Sequence, residues 1–227
     1  MKPLYQHKLL TSFYLWFDHF LLNKGDAYKN FHNSDPTEAL FYNYSDEQIQ
    51  NKTVFGSPYK QWVYDKSIKN AILPTVSGEG PSGNEEIPAG TSGMAVDYEN
   101  GRVLFNDSYS TTAPISGSYS VKNFNTYVSN QNEESLIIEG KYKVNARYTR
   151  ELTYVAPYDE VVPAAFLSTT TSNNQPFAIG GEDNTISQIS AVVFAENTYQ
   201  LDGILSIFAD ASKEVFNGIP YTGSPLD

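Results

Sequence analysis

The chain has 227 residues, no cysteine, a formal net charge of −11 and 14% aromatic residues, 17 of them tyrosine. That length can bury a core, and the apolar content is that of a folded protein. The lack of cysteine excludes a disulfide scaffold and thiolate chemistry. The acidic balance argues against a basic groove for nucleic acid and against anionic membranes.

Leu9, Phe13, Trp16, Phe17 and Phe20 recur at helical spacing and predict an amphipathic helix over residues 4–23. Asn23-Lys24-Gly25 closes it, with Gly25 expected in the left-handed cap. Trp16, Asp18 and His19 interrupt the apolar run, so it reads neither as a signal peptide nor as a membrane span. Two partners suit the aromatic face: the β layer of the same chain, or a neighbouring subunit.

Residues 26–52 read as a connector with helical turns, started by Asp35-Pro36-Thr37-Glu38 and by Ser45-Asp46-Glu47-Gln48. Trp62, Val63 and Tyr64 predict a short strand. Residues 74–93 hold five glycines, three prolines and three acids, and predict a loop. It lacks the Gly-Lys-Ser/Thr ending of a phosphate-binding loop.

Residues 94–142 predict an antiparallel β layer. Met94, Val96 and Tyr98 alternate with Ala95, Asp97 and Glu99; Asn100-Gly101 is a tight-hairpin signal; Val103 and Phe105 resume the apolar face. Ile115, Gly117, Tyr119 and Val121 then alternate with Ser116, Ser118, Ser120 and Lys122. Leu136 to Ile138 adds one more apolar run. Further strands are expected over 141–153, 161–167, 186–194 and 198–208, with a polar loop over 168–175. Pro163 marks an edge or a bend. Asp210 is placed as the cap of a short helix ending at Phe216, and residues 217–227 read as an extended tail.

Together these predict a mainly β protein: an antiparallel β-sandwich or partly open barrel with an N-terminal amphipathic helix. Residues 1–59 form the helix and connector, 60–216 the β domain and 217–227 the tail.

No reaction centre is announced. His7, His19 and His32 lie far apart and lack metal-site spacing. No Gly-x-Ser-x-Gly elbow occurs. Glu133, Glu134, Glu139 and Asp159 are possible glycosidase carboxylates only in the sense that any acids are. Asp97 and Glu99 flank Tyr98 as oxygen donors for a hard cation, without the ligand run of an EF-hand. No metal and no cofactor is expected, and no enzyme activity.

The stretches QWVYDKSI (61–68), VDYENGRVLF (96–105), ISGSYSVKNFNTYVSNQNEESLIIE (115–139), PFAIGGEDNT (176–185) and YQLDGILSIFAD (199–210) resemble virion structural proteins of tailed bacteriophages. Within that group the chain is most similar to neck proteins, the head-to-tail connectors. The resemblance implies a non-enzymatic ring subunit of the virion, assembled in the host cytoplasm. Such a ring is expected to be a hexamer or dodecamer of this chain. It would contact portal, connector and tail proteins, with DNA passing nearby but not specifically bound, and no membrane. On this reading Phe13, Trp16, Phe17 and Phe20, with Ile219, Pro220 and Tyr221 of the tail, are subunit-interface candidates. Glu79, Glu85, Glu86, Glu99, Glu133 and Glu134 are candidates for an acidic lumen wall. The competing expectation is a carbohydrate-binding or adhesin-type β module of a baseplate or fibre, which would show an exposed Trp/Tyr platform.

Overall fold

The structure is a computed structural model that describes residues 6–34, 40–44, 52–80, 83–88, 93–106, 115–129, 131–139, 143–144, 160–176 and 183–220. In chain order the elements are α1 (Gln6–Lys24), β1 (Tyr28–Phe31), β2 (Leu40–Tyr44), β3 (Thr53–Gly56), β4 (Thr75–Gly80), β5 (Gly83–Pro88), β6 (Met94–Asp97) and β7 (Arg102–Phe105). There follow β8 (Ile115–Lys122), β9 (Asn125–Val128), α2 (Glu133–Glu139), β10 (Lys143–Val144), β11 (Val161–Val162), β12 (Ala164–Pro176), β13 (Asp183–Phe194) and α3 (Thr198–Ala211). Strand exceeds helix. Among the described residues the strands form sheets of eight, three and two strands, and no barrel closes.

Two compact units interleave along the chain. One, the helical unit, comprises Met1–Leu21, Asn125–Gly140 and Pro163–Asp227; the other, the sheet unit, comprises Leu22–Phe124 and Lys141–Val162.

The sheet unit is organised on β8, which pairs antiparallel with β1, β2 and β4, while Trp62 forms an isolated bridge to Val121. The full strand order is β5-β4-β8-β2-β3-β7-β6, with β1 joined to β8. The alternation read in the sequence holds for Ile115, Gly117, Tyr119 and Val121, all buried. From Tyr119 onward both faces are covered, so Ser120 and Lys122 are buried as well. Ser120 is satisfied there: its Oγ donates to Asn30 Oδ1 at 2.6 Å and accepts from the Ile72 N–H at 2.6 Å. The core is aromatic. Phe31, Phe41, Phe55, Tyr59, Trp62, Phe105 and Tyr119 share one cluster with Val76, Met94, Val103, Ile115 and Val121. Trp62 stacks on Tyr119 with ring centroids 4.6 Å apart, an offset geometry that suits the ring quadrupoles.

Ser57 fixes the polar rim of this core. Its Oγ donates to the Tyr59 carbonyl at 2.6 Å and accepts from the Tyr59 N–H and the Trp62 indole N–H. The Ser57 N–H in turn donates to the Gly101 carbonyl at 2.9 Å.

Several expectations change. The stretch 74–93 contains a hairpin, β4–β5, whose β4 joins β8 from Thr75↔Ser118 to Gly78↔Ile115. Backbone pairing, which needs no particular side chain, overrides its loop-like composition. Within the connector, residues 28–31 and 40–44 are strands; both helix starts expected there include residues outside the described ones. Among the described residues, 62–64 form no strand and make one isolated bridge, Trp62 to Val121. Asp26, at φ 46°, takes the left-handed conformation after α1 that the sequence predicts at Gly25. The β6–β7 hairpin is not a two-residue turn: Asp97 faces Arg102, leaving a four-residue loop in which only Gly101 has positive φ. Asp97 sets that geometry, because its carboxylate accepts from the Asn100 N–H and Nδ2 and from Arg102 Nε.

In the helical unit, β12 runs parallel to β9 and antiparallel to β13, giving the order β13-β12-β9. Pro163 separates β11 from β12, at the point where the chain passes from one unit to the other. The expected polar loop over 168–175 is part of β12, which pairs with β13 out to Pro176↔Asp183. Residues 136–138 lie in α2, capped by Asn132, whose Oδ1 accepts from the Ser135 N–H at 2.9 Å. Glu133 and Glu134 sit in its first turn, where the helix dipole favours them. The expected strand over 198–208 is helix α3. Asn197 caps it, accepting from the Gln200 N–H at 2.9 Å, and Gln200 Oε1 reaches back to the Glu196 N–H.

Candidate functional site

The aromatic residues of α1 come together with the C-terminal segment inside the helical unit. Along α1, Leu10, Phe13, Phe17, Phe20 and Leu21 fall on one stripe. Leu10, Phe17, Phe20 and Leu21 are buried, Phe13 and Trp16 half-buried. Phe17 stacks on Phe208 of α3 at 4.4 Å. Trp16 stacks on Phe216 at 5.3 Å, and Phe13 meets the same ring edge-on. Ser12 Oγ donates to the Lys8 carbonyl and accepts from the Ile219 N–H at 3.0 Å. The backbone beyond α3 is therefore tied to α1 of its own chain as far as Ile219. Pro220 follows as the last described residue, and Tyr221 lies outside the described residues. The buried Asp18 accepts from Thr126 Oγ1 at 2.8 Å, joining α1 to β9.

The helical unit also carries exposed apolar side chains. Ile204 is the buried residue of α3, while Leu205 is 51% and Tyr199 88% exposed. Val215, Ile138, Ile137 and Ile186 are also exposed. Burying a large apolar side chain is worth about 1.5–3 kcal/mol, so such a set favours a covering partner. Tyr199 and Leu205 lie in a stretch whose isoleucines and aromatics also fit a strand, which hides this helix face in the sequence. The Asn197-x-x-Gln200 capping pattern ahead of Leu201, Ile204, Leu205 and Phe208 was the available signal.

The six acids do not form one cluster in sequence or in unit. Glu79, Glu85 and Glu86 lie on the β4–β5 hairpin, where Glu86 pairs with Ser77 and Glu85 with Gly78 along the backbone. Glu99 is exposed in the β6–β7 loop, and its carbonyl accepts from the Gln61 N–H. Beside it, burial pushes the Tyr98 phenol above its ordinary 10.0. Glu133 and Glu134 are exposed on α2, in the other unit.

The weaker chemical candidates are placed as follows. Asp97 is engaged by Arg102 at 3.0 Å, so the cation already beside it is a guanidinium. Among the described residues no group of three His, Asp or Glu side chains could hold a metal ion, and no helix is long and apolar enough to cross a membrane. Asp159 lies outside the described residues. Of the two tryptophans, Trp62 is 1% exposed and Trp16 is stacked under Phe216. No protein-family model, no curated protein and no solved structure matches this chain.

Proposed function

We propose that the chain is a non-enzymatic structural subunit of a tailed-phage virion that assembles into a ring in the neck, joining head to tail around the DNA exit path. The observation that carries this reading is the set of exposed large apolar side chains in the helical unit: Tyr199 and Leu205 of α3, Ile137 and Ile138 of α2, and Val215. A chain of net charge −11 keeps such surface soluble before assembly and loses it to a neighbour afterwards. In this reading the neighbours are copies of the chain and the adjoining portal, connector and tail proteins. The aromatic face of α1 with Ile219, Pro220 and Tyr221 lies at or beside the subunit contact, and acids such as Glu79, Glu85, Glu86, Glu99, Glu133 and Glu134 line the lumen. A negative wall repels duplex DNA over about one Debye length, roughly 8–10 Å.

For the fold, the reading keeps a sandwich or a partly open barrel for the eight-stranded sheet. Support for the barrel comes from one core cluster to which β1, β2, β3, β4, β6, β7 and β8 all contribute. The adhesin alternative gains nothing from the tryptophans, neither of which forms an exposed platform.

The deciding measurement is the native mass of the purified full chain and of the particle that contains it. Six or twelve copies support the neck ring. Three copies would move the protein to a fibre, and a chain that stays single at all concentrations would refute a ring subunit.

A further inference from the structure

The three-stranded sheet of the helical unit ends in an edge whose chemistry is specific. Two backbone bonds fix which way β12 points: the Asn125 N–H donates to the Pro163 carbonyl and the Ser129 N–H to the Leu167 carbonyl, both at 2.9 Å. Residues 163, 165 and 167 therefore face β9, and Ala164, Phe166 and Ser168 face β13. Their register partners are Phe194, Val192 and Ser190. The alternation of a strand then sends the N–H and C=O groups of Ile189, Ala191 and Val193 away from β12. Among the described residues no strand lies on that side.

An open edge is normally blunted by lysine, proline, a bulge or brevity. β13 has none of these. It is 12 residues long, and from Asn184 to Phe194 it has neither a charge nor a proline. The bulge of the pair falls on β12, between Thr169 and Thr171. The strand is also complementary to itself. Antiparallel pairing about Ala191 sets Ile189 against Val193, Ser190 against Val192 and Gln188 against Phe194, with no like charges opposed. Ala191 is exposed and small enough to meet its own copy on the two-fold axis. Two copies each carrying −11 repel, and the stretch from Asn184 to Phe194 adds no charge to that repulsion.

We propose that β13 is a self-association edge: a second copy of this chain adds its own β13 antiparallel, centred on Ala191. About six main-chain hydrogen bonds would form between residues 189, 191 and 193 of the two copies. This pairing does not rest on the ring reading.

The absence of native cysteine makes the test direct. In the proposed register the two Ala191 Cα atoms lie about 5.5 Å apart, within disulfide range. A Gln188 pair would be about 20 Å apart along the strands. Full-length Ala191→Cys should cross-link to a dimer on mild oxidation, and Gln188→Cys should not. Ala191→Pro removes an outward N–H without touching the β12 ladder; it should halve the native mass and leave the far-ultraviolet dichroism unchanged. Cross-linking of both cysteine variants alike, or of neither, overturns the pairing, even if the proline variant fails to fold. Loss of mass in Ala191→Pro without cross-linking of Ala191→Cys also overturns it, since another segment would then fill the edge. A mass of six or twelve that survives all three substitutions refutes the pairing and leaves the ring standing.

Discussion

Replacing Gly101 with alanine tests the link between the β6–β7 hairpin and the aromatic core. Gly101 has φ +63°, and an added Cβ would stand 1.9 Å from the Tyr59 carbonyl oxygen and 3.0 Å from Trp62 Nε1. The left-handed conformation costs a non-glycine residue about 1–2 kcal/mol, and a forced shift in a packed site adds about 1–3 kcal/mol. Tyr59 cannot yield cheaply, because its carbonyl accepts from Ser57 Oγ and Ser57 Oγ also holds the Trp62 indole. We expect a loss of about 3 kcal/mol, a large part of the ~5–15 kcal/mol that stabilises a typical domain. With an m-value of about 2 kcal/mol/M this moves the urea midpoint down by about 1.5 M. The assay is urea unfolding in a Trp16→Phe background, so that fluorescence reports Trp62 alone. A loss below about 1 kcal/mol would show that the loop closes as well without a left-handed residue, and would refute the reasoning.

Three other outcomes are expected. Gly203→Ala on α3, where the added Cβ meets nothing within 4 Å, should stabilise the helical unit by about 0.8–1 kcal/mol in thermal unfolding; a destabilised assembly instead would place that face at a subunit contact. Ser57→Ala should cost about 1–3 kcal/mol by stranding the buried Trp62 N–H, and a neutral result would mean that water replaces the hydroxyl. Burial raises the Tyr98 pKa above the ordinary 10.0, so the unfolded chain releases this proton first. Stability should therefore be full below pH 10 and fall above it. Tyr98→Phe should flatten the fall in denaturation midpoint above pH 10, and identical profiles there would contradict the assignment.

The parts legible in the sequence were those whose burial is one-sided. The α1 stripe and the first half of β8 each carry a clean period, because one face meets a core and the other does not. The period blurs where both faces are covered, as at Ser120 and Lys122. It also fails where little is covered: β12 beyond Leu167 reads as Ser, Thr, Asn and Gln because, among the described residues, it pairs there only with β13. The β4–β5 hairpin was hidden because its pairing to β8 joins strands distant in sequence, such as Val76 and Gly117, 41 residues apart. For α2 and α3 the signal was present. Asn132 and Asn197 are sequence-visible caps, outweighed by the isoleucines and aromatics that follow them. The meeting of Trp16 with Phe216 has no local signature, since a contact between the two ends of a chain leaves no periodicity in either.

The interleaving of the two units has a kinetic consequence. Ser12 waits for Ile219, 207 residues later, and Phe17 waits for Phe208. At about 5–20 residues per second, synthesis separates those partners by roughly 10–40 s. During that interval the aromatic stripe of α1 has been made and its C-terminal cover has not. The sheet strands between Tyr28 and Lys122 complete most of their pairings among themselves in the meantime. Folding of the helical unit is therefore a late, long-range closure, the slow kind in which loop entropy is paid before contacts reward it. A nascent chain stalled before α3 should be the species that chaperones hold.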